Sequence, residues 1–206
     1  MTPTEAHAVR PRIEGDRERE ILEAALEVLA DVGYDRLTMD AVATRARASK
    51  ATLYRRWSTK VGLVIDALLV EKPAPPAPDT GSFRGDLVEA FCGVGGLVDA
   101  KSVGTFSSVL TALTRDEEFA AEFRSRVIGP KIETSRVVYE RAKARGEVRS
   151  DLDVALFAPA LAGICLHRFY VLGEAPTTEL VTRVIDQIIV PAATASGSPK
   201  TEETHV

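Results

Sequence analysis

Apolar residues recur along most of this chain at the spacing of an α-helix, and no stretch shows the alternation of a β-strand. The first apolar face consists of Ile21, Ala24, Ala25, Val28, Leu29 and Val32. Asp16 is a suitable N-cap for this helix, and Gly33 is suited to end it as a left-handed residue. The pattern predicts an all-α protein whose first helix spans about residues 16–33.

Two short helices are predicted next, and capping residues define the first of them. Thr38 is a suitable N-cap for a helix over about residues 39–46, and Leu37 and Val42 stand at the two positions of a hydrophobic staple. Asp40 lies in the first turn, where the helix dipole favours an acidic side chain. We therefore expect a helix of about two turns.

The second short helix follows a tight turn at residues 47–48. Ser49 is placed to cap it by accepting a hydrogen bond from the Thr52 amide, and Leu53 and Trp57 face inward. The residues left on its outer or lateral surface are Lys50, Ala51, Thr52, Tyr54, Arg55 and Arg56.

A fourth helix is expected after Ser58 or Thr59, and a proline-rich segment then separates two halves of the chain. Four prolines fall between residues 73 and 78, where they favour an extended, semi-rigid backbone. The predicted division is a flexible arm (1–15), a helix-turn-helix domain with its connecting helix (16–72), a linker (73–82), a helical regulatory and dimerisation domain (83–192) and a disordered tail (193–206).

The second half is predicted to be helical throughout. The expected helices span about residues 83–99, 102–114, 117–128, 131–145, 153–172 and 178–192, with Gly129-Pro130 interrupting or kinking the third and fourth. The stretch Val154 to Leu166 is uncharged and apolar on every side. Its 13 residues are too few to span a bilayer, so we expect it to be covered by protein on more than one side.

Charge singles out the helix-turn-helix region. The chain has a net charge of -4, which argues against a protein that coats nucleic acid by bulk charge. Between Asp40 and Asp66, however, there is no acidic residue, and the same interval contains Arg45, Arg47, Lys50, Arg55, Arg56 and Lys60. Such a local basic patch between two capped helices is typical of a helix-turn-helix that binds DNA.

These residues resemble a known family. Residues 43–63, ATRARASKATLYRRWSTKVGL, are similar to the helix-turn-helix of TetR-family transcriptional regulators, and Val32-Gly33-Tyr34 matches the approach to that motif. The strong resemblance covers about residues 16–70. Residues 78–87 are similar to one subgroup of the family's regulatory domains, and the resemblance implies an all-helical second half.

By this resemblance, a double-stranded DNA operator would be contacted by Thr38, Ser49, Lys50, Ala51, Thr52, Tyr54, Arg55, Arg56 and Lys60. The family usually has Gly then Val where this chain has Arg47 then Ala48. A left-handed Arg47 should cost on the order of 1 kcal/mol relative to Gly. We hypothesise that Arg47 compensates as an additional phosphate contact.

The last two helices are expected to pair two copies of the chain, because an apolar seam exposed on a monomer would be a large adhesive patch. The resemblance likewise implies a four-helix dimer interface built from these helices. The candidate interface residues are Leu156, Leu161, Ile164, Val181, Val184, Ile185, Ile188 and Ile189. The alternative is that they form only an intramolecular core.

The second half also has candidate residues for a small hydrophobic or aromatic effector. They are Phe91, Phe106, Leu110, Phe123, Val127, Ile132, Arg136, Tyr139, His167 and Phe169. Apolar walls with few polar groups suit such a ligand. For each residue taken singly, ordinary core packing is the alternative. The glycines of residues 93–96 lack a flanking strand and do not form a nucleotide-binding loop.

Other chemistry has little support in the sequence. No Cys, His and carboxylate cluster has metal-ligand spacing, and His167 has no evident nucleophile partner, so we expect neither cofactor, metal nor catalysis. Two distant cysteines and the absence of a signal peptide predict a cytoplasmic protein without a membrane partner.

Taken together, these features lead us to expect a ligand-responsive homodimeric repressor. The alternatives are an activator or ligand-independent regulator, or a helical dimerisation protein whose basic patch binds an acidic protein.

Overall fold

The computed structural model describes residues 14–71, 74, 76–93, 96–97 and 103–194, and this part of the chain contains helices and no strand. The helices are α1 (Glu14–Arg36), α2 (Met39–Arg45), α3 (Lys50–Arg56), α4 (Lys60–Glu71), α5 (Phe83–Cys92), α6 (Val103–Arg115), α7 (Glu117–Glu122), α8 (Gly129–Ala144), α9 (Val154–Leu172), α10 (Thr178–Val184) and α11 (Val190–Thr194). The all-α fold predicted from the hydrophobic pattern is confirmed.

The first helix extends beyond its predicted end. Gly33 has φ 77° and ψ 165°. Its positive φ suits glycine, but its ψ differs from that of the left-handed helical conformation predicted for this residue. The chain kinks there and makes one more helical turn to Arg36. This turn places Tyr34 in the core, where its ring lies 4.6 Å from that of Phe119.

The described residues form two compact units. In the first, Gly104–Ala120 cluster with the residues that precede Lys72; the second contains the remainder of the chain. The sequence predicts residues 104–120 to be part of the regulatory domain, whereas contact clustering places them in the first unit. The cause is a set of long-range contacts. Tyr34 Oη donates to Asp116 Oδ2 (2.7 Å), Arg115 Nη1 pairs with Asp35 Oδ2 (2.7 Å), and Ser108 Oγ donates to the Leu29 carbonyl (3.2 Å).

The second unit has its own core, to which α5, α8, α9, α10 and the segment after α10 contribute. Tyr139 lies at its centre, edge-on to Phe83 at 5.0 Å and to Phe157 at 6.3 Å. Its hydroxyl donates to the Phe157 carbonyl (3.3 Å), and burial raises the pKa of the phenol. The centre of this unit is therefore aromatic, and the polar atom of Tyr139 is satisfied.

Two widened helical turns each precede a proline. π-helical segments span Phe123–Ile128, just before Pro130, and Ile185–Ile189, just before Pro191. Proline has no amide hydrogen, and its ring clashes with the carbonyl four residues earlier, so a wider turn accommodates it without ending the helix. Gly129-Pro130 was predicted to interrupt or kink the helix. The chain instead runs through a π turn directly into α8.

Several predicted segments lie wholly or partly outside the described residues: most of the arm (1–15) and the tail (193–206), part of the linker (73–82), and residues 98–102 at the ends of two predicted helices. Helix α5 ends at Cys92, earlier than predicted.

Helix α9 is long and apolar enough, by length and composition, to cross a membrane. A core helix passes the same test, and α9 buries Val154, Ala158, Leu161 and Cys165 in the second unit. Only 22% of its apolar window is fully buried within the protomer, and the exposed residues of the helix, among them Leu156 and Val171, are available to another surface.

Candidate nucleic-acid interface

The caps that define α2 and α3 are those predicted. Thr38 Oγ1 accepts from the Ala41 amide (3.1 Å), and Ser49 Oγ accepts from the Thr52 amide (3.1 Å). Leu53 and Trp57 are buried as expected, and Trp57 Nε1 donates to Asp66 Oδ2 (2.8 Å) on α4. Two local capping interactions and one apolar pair therefore fix how α3 is presented.

The outer side of α3 forms an exposed surface, which we call the recognition face. It consists of Lys50, Ala51, Tyr54, Arg55 and Arg56. Thr52 is half-buried, and its hydroxyl lies 2.8 Å from that of Ser49. Within the described part of the chain, no hydrogen bond or ion pair engages the side chain of Tyr54 or Arg55. The middle of α3 thus offers an aromatic hydroxyl and a guanidinium to a ligand.

Both ends of the recognition face carry ion pairs that the sequence analysis missed. Lys50 Nζ lies 2.5 Å from Asp40 Oδ2, and Arg56 Nη2 lies 3.1 Å from Glu18 Oε1. The absence of acidic residues between Asp40 and Asp66 suggested an unopposed patch, but acids outside that interval fold back on to it. No local sequence signal identifies Glu18, which is 38 residues from its partner.

Arg45 is also paired. Its Nη1 and Nη2 atoms lie 3.0 Å from Glu27 and 2.7 Å from Asp31, both on α1. These contacts raise the pKa of the Arg45 guanidinium, chiefly through the hydrogen bond to Asp31. This cation of the predicted patch therefore connects α2 to α1.

Arg47 has φ 51°, the positive φ on which the expected conformational cost depends. Its carbonyl accepts a hydrogen bond from Arg17 Nη2 (2.7 Å), and Arg17 Nη1 also pairs with Glu20 (2.6 Å). The turn is thus supported by α1. Beside it is a cleft of about 330 Å³ lined by Arg17, Glu20, Glu23, Ala24, Glu27, Arg45, Ala46 and Arg47. Its lining is mainly charged, unlike the apolar site predicted for an effector.

Two substitutions at Arg47 separate its conformational cost from its proposed phosphate contact. Arg47→Gly should stabilise the chain by about 1 kcal/mol in urea unfolding, because glycine adopts positive φ without strain. Arg47→Ala keeps most of the strain and removes the guanidinium. If Arg47 contacts a phosphate, both variants should reduce the salt slope of DNA binding by about 0.9. Unchanged DNA affinity and salt slope in both would refute that contact.

Lys60, predicted to contact the operator, is half-buried against Tyr34 in this structure. Its ammonium lies 4.2 Å from the centre of the Tyr34 ring and donates to the Tyr34 carbonyl (3.3 Å). The Phe119 amide and the Tyr34 hydroxyl, with the charge of Lys60, hold the pKa of Asp116 below its usual range. Lys60 is therefore part of a polar cluster with Tyr34 and Asp116.

The structure divides the candidate effector residues. Phe123, Val127 and Tyr139 are buried and Phe91 and Phe169 are half-buried, all in the second unit. Leu110 belongs to the first unit and is partly exposed, Ile132 is exposed, and the side chain of Phe106 lies outside the described residues.

Two candidates with polar side chains point to solvent. Arg136 is exposed and pairs bidentately with Glu133 (2.8 and 2.7 Å), three residues earlier on α8. His167 lies on the exposed side of α9. The prediction that Arg136 and His167 line an internal cavity of the protomer is therefore corrected. Among the described residues, no group of three His, Cys, Asp or Glu is arranged to hold a metal.

The candidate dimer residues also divide. Leu161, Val181, Val184, Ile185 and Ile189 are buried in the protomer's own core, so as the protomer is folded they cannot provide an interface, which corrects the prediction for these five. Ile164 is half-buried. Leu156 and Ile188 are 66% and 47% exposed.

Comparisons with known proteins bear on both units. A family model described as "Bacterial regulatory proteins, tetR family" matches residues 21–67, and a "Tetracyclin repressor-like, C-terminal domain" model matches residues 77–188. An uncharacterised HTH-type transcriptional regulator of Mycobacterium tuberculosis is 34% identical over 186 residues, 87% of this chain and 89% of that protein.

Two further comparisons are also with TetR-family proteins. The DNA-binding transcriptional repressor TetR of Mycobacteroides abscessus is 31% identical over 176 residues, 84% of this chain and 92% of that protein. The crystal structure of a TetR family transcription regulator superposes with a TM-score of 0.59 at 27% identity, covering 83% of this chain and 97% of that one.

Proposed function

The chain belongs to the TetR family of DNA-binding transcriptional regulators, and from this premise we propose that it is a homodimeric, cytoplasmic repressor released from its operator by a small apolar or aromatic effector. The observation that carries the proposal is the capped α3, whose Tyr54 and Arg55 are exposed and without partners among the described residues. A tyrosine hydroxyl suits phosphate contact, and arginine suits phosphate or guanine.

Pairing of two copies supports operator binding, since one short recognition helix binds weakly and dimers place two of them about one helical turn of DNA apart. We propose that the interface is the exposed side of α9 with Ile188. Leu156, Gly163, His167 and Val171 are exposed along α9 at intervals of four to seven residues, so they share one side of the helix. Covering this side would also remove its apolar surface from water.

For the effector, we propose that binding in the second unit shifts the dimer towards a form whose recognition helices no longer match successive grooves. The side chains around Tyr139 are aromatic, so a ligand that entered between them would meet apolar surroundings. The proposed route to the DNA-binding unit runs through α4 and α6–α7. The Lys60, Tyr34 and Asp116 cluster supports this route because it connects α7's start to α1 and α4 within the first unit.

Titration of the full chain against its own upstream DNA at several salt concentrations tests the function. A regulator should show sequence preference and a steep linear fall of log affinity with log salt. Binding to DNA without sequence preference, or no binding to DNA at all, would contradict the proposal. A chain that does not bind DNA but binds an acidic protein would instead be a helical dimerisation protein.

Single substitutions refine this test. Arg55→Ala should weaken operator binding, either reducing the salt slope by about 0.9 if Arg55 contacts a phosphate, or relaxing preference at one base pair by about 1–3 kcal/mol if it contacts a base. Lys60→Ala should also weaken binding if the ammonium leaves Tyr34 for a phosphate, and should leave binding unchanged if it stays in the cluster with Tyr34. Arg124→Ala is the matched control, since Arg124 is exposed in the second unit. An Arg55→Ala variant that binds as tightly as the control would remove Arg55 from the interface.

A further inference from the structure

Two carboxylates lie within the cationic surface proposed to bind a polyanion. Asp40 Oδ2 is 2.5 Å from Lys50 Nζ, and Glu18 Oε1 accepts from both Nε (3.3 Å) and Nη2 (3.1 Å) of Arg56. The four side chains are between 36% and 64% exposed. Ion pairs as exposed as these contribute little to folding stability, so stability does not explain why acids stand there.

Their positions relative to α3 are complementary. Asp40 lies in the first turn of α2 and reaches Lys50, the first residue of α3. Glu18 lies on α1 and reaches Arg56, the last residue of α3. The two ends of the recognition helix therefore carry compensated cations, whereas Arg55 between them has no partner among the described residues.

We propose that Asp40 and Glu18 are specificity-determining residues, which keep Lys50 and Arg56 from binding DNA phosphates indiscriminately. This rests on the proposed function. A phosphate that approaches either cation also meets the neighbouring carboxylate, whose negative charge repels it. An intact pair thus subtracts from the electrostatic attraction on which non-specific binding depends.

Base edges carry no net charge, so the two carboxylates repel them far less than they repel phosphates. An ammonium has three donors, so Lys50 can keep its hydrogen bond to Asp40 and still donate to a base-edge acceptor such as guanine O6 or N7. Arg56 likewise keeps N–H groups beyond the two that Glu18 accepts. The carboxylates hold both cations in place for such contacts, so they favour the operator over other sequences.

The test compares wild type, Asp40→Asn, Glu18→Gln and the double variant on an operator duplex and on a duplex of unrelated sequence. Each single change should raise the salt slope on unrelated DNA by about 0.9, and the double change by about 1.8. If a variant and wild type bind unrelated DNA equally at 1 M salt, a slope larger by 0.9 makes the variant bind it about eightfold more tightly at 0.1 M salt. Operator affinity should rise less, so that the ratio of operator to non-specific affinity falls several-fold.

Glu133→Gln is the matched control: it makes the same charge change and breaks an exposed pair with Arg136 (2.7 Å) on α8. Thermal unfolding of the variants should match that of this control. The inference is overturned if Asp40→Asn and Glu18→Gln bind both duplexes as Glu133→Gln does, or if both affinities rise by the same factor. Wild type without any sequence preference would overturn the proposed function, and this inference with it.

Discussion

A chain carrying Leu156→Asp and Ile188→Asp is expected to be monomeric and to lose at least about 100-fold of its affinity for a two-fold operator. Both side chains are apolar and exposed on the protomer, and a dimer that covers them would have to bury two carboxylates per chain without partners. Once the two recognition helices are unlinked, each binds its half-site separately, and the 10²–10⁴-fold gain from linked binding disappears.

Analytical ultracentrifugation gives the oligomeric state, and titration of a two-fold duplex and of a single half-site gives the loss of linkage. Ile132→Asp is the matched control, because Ile132 is 44% exposed on α8, close to the value for Ile188. The double variant should bind the half-site as the control does and the full operator far more weakly. A double variant that stays dimeric would place the interface elsewhere on the chain.

The periodicity of the last helices could not show which apolar residues face a partner. Spacing at three and four residues identifies apolar positions, and it places Val181 and Ile188 in one continuous pattern. Val181 is fully buried in the protomer whereas Ile188 is exposed. In α9 the apolar residues surround the helix, so hydrophobicity contains no information about which side is already covered. That information lies in the packing of α8, α10 and the segment Ile185–Ile189 against it.

The helix-turn-helix was more predictable because its determinants are local. The Thr38 and Ser49 caps each act over three residues, and the positive φ of Arg47 follows from its place in a tight turn. What the sequence did not reveal were partners distant along the chain: Glu18 on Arg56, and Asp116 on Tyr34 across 82 residues.

For the effector residues, one local signal in the sequence distinguishes Arg136 from the apolar candidates. Glu133 and Arg136 are three residues apart on a helix, where opposite charges meet on the surface. This spacing favours an exposed Arg136 over one that lines a cavity. The remaining aromatic candidates could not be sorted from sequence, since a core and a cavity wall use the same side chains.

Asp86→Ala should destabilise the second unit by about 3 kcal/mol, the order of loss when one partner of a buried charge pair is removed. Asp86 is fully buried, and it accepts from the Thr80 amide (2.6 Å), the Thr80 hydroxyl (2.8 Å) and Arg145 Nη2 (2.9 Å). Asp79→Ala is the matched control: Asp79 approaches the same Arg145 at 3.6 Å but is largely exposed, so its loss should cost little.

The same pair makes a signed prediction for pH. Burial alone would raise the pKa of Asp86, but the hydrogen bonds from the Thr80 amide and from Arg145 outweigh it, and the pKa is lowered. A carboxyl with a lower pKa in the folded chain stabilises the fold when ionised. Its contribution is complete above the pKa of the unfolded chain and is lost as pH falls through the pKa of the folded chain.

Urea unfolding at fixed protomer concentration should therefore show that the difference in free energy of unfolding between wild type and Asp86→Ala narrows below about pH 4. A gap that stays constant into acid would mean that Asp86 acts through packing and neutral hydrogen bonds, and that Arg145 contributes no charge interaction to the fold.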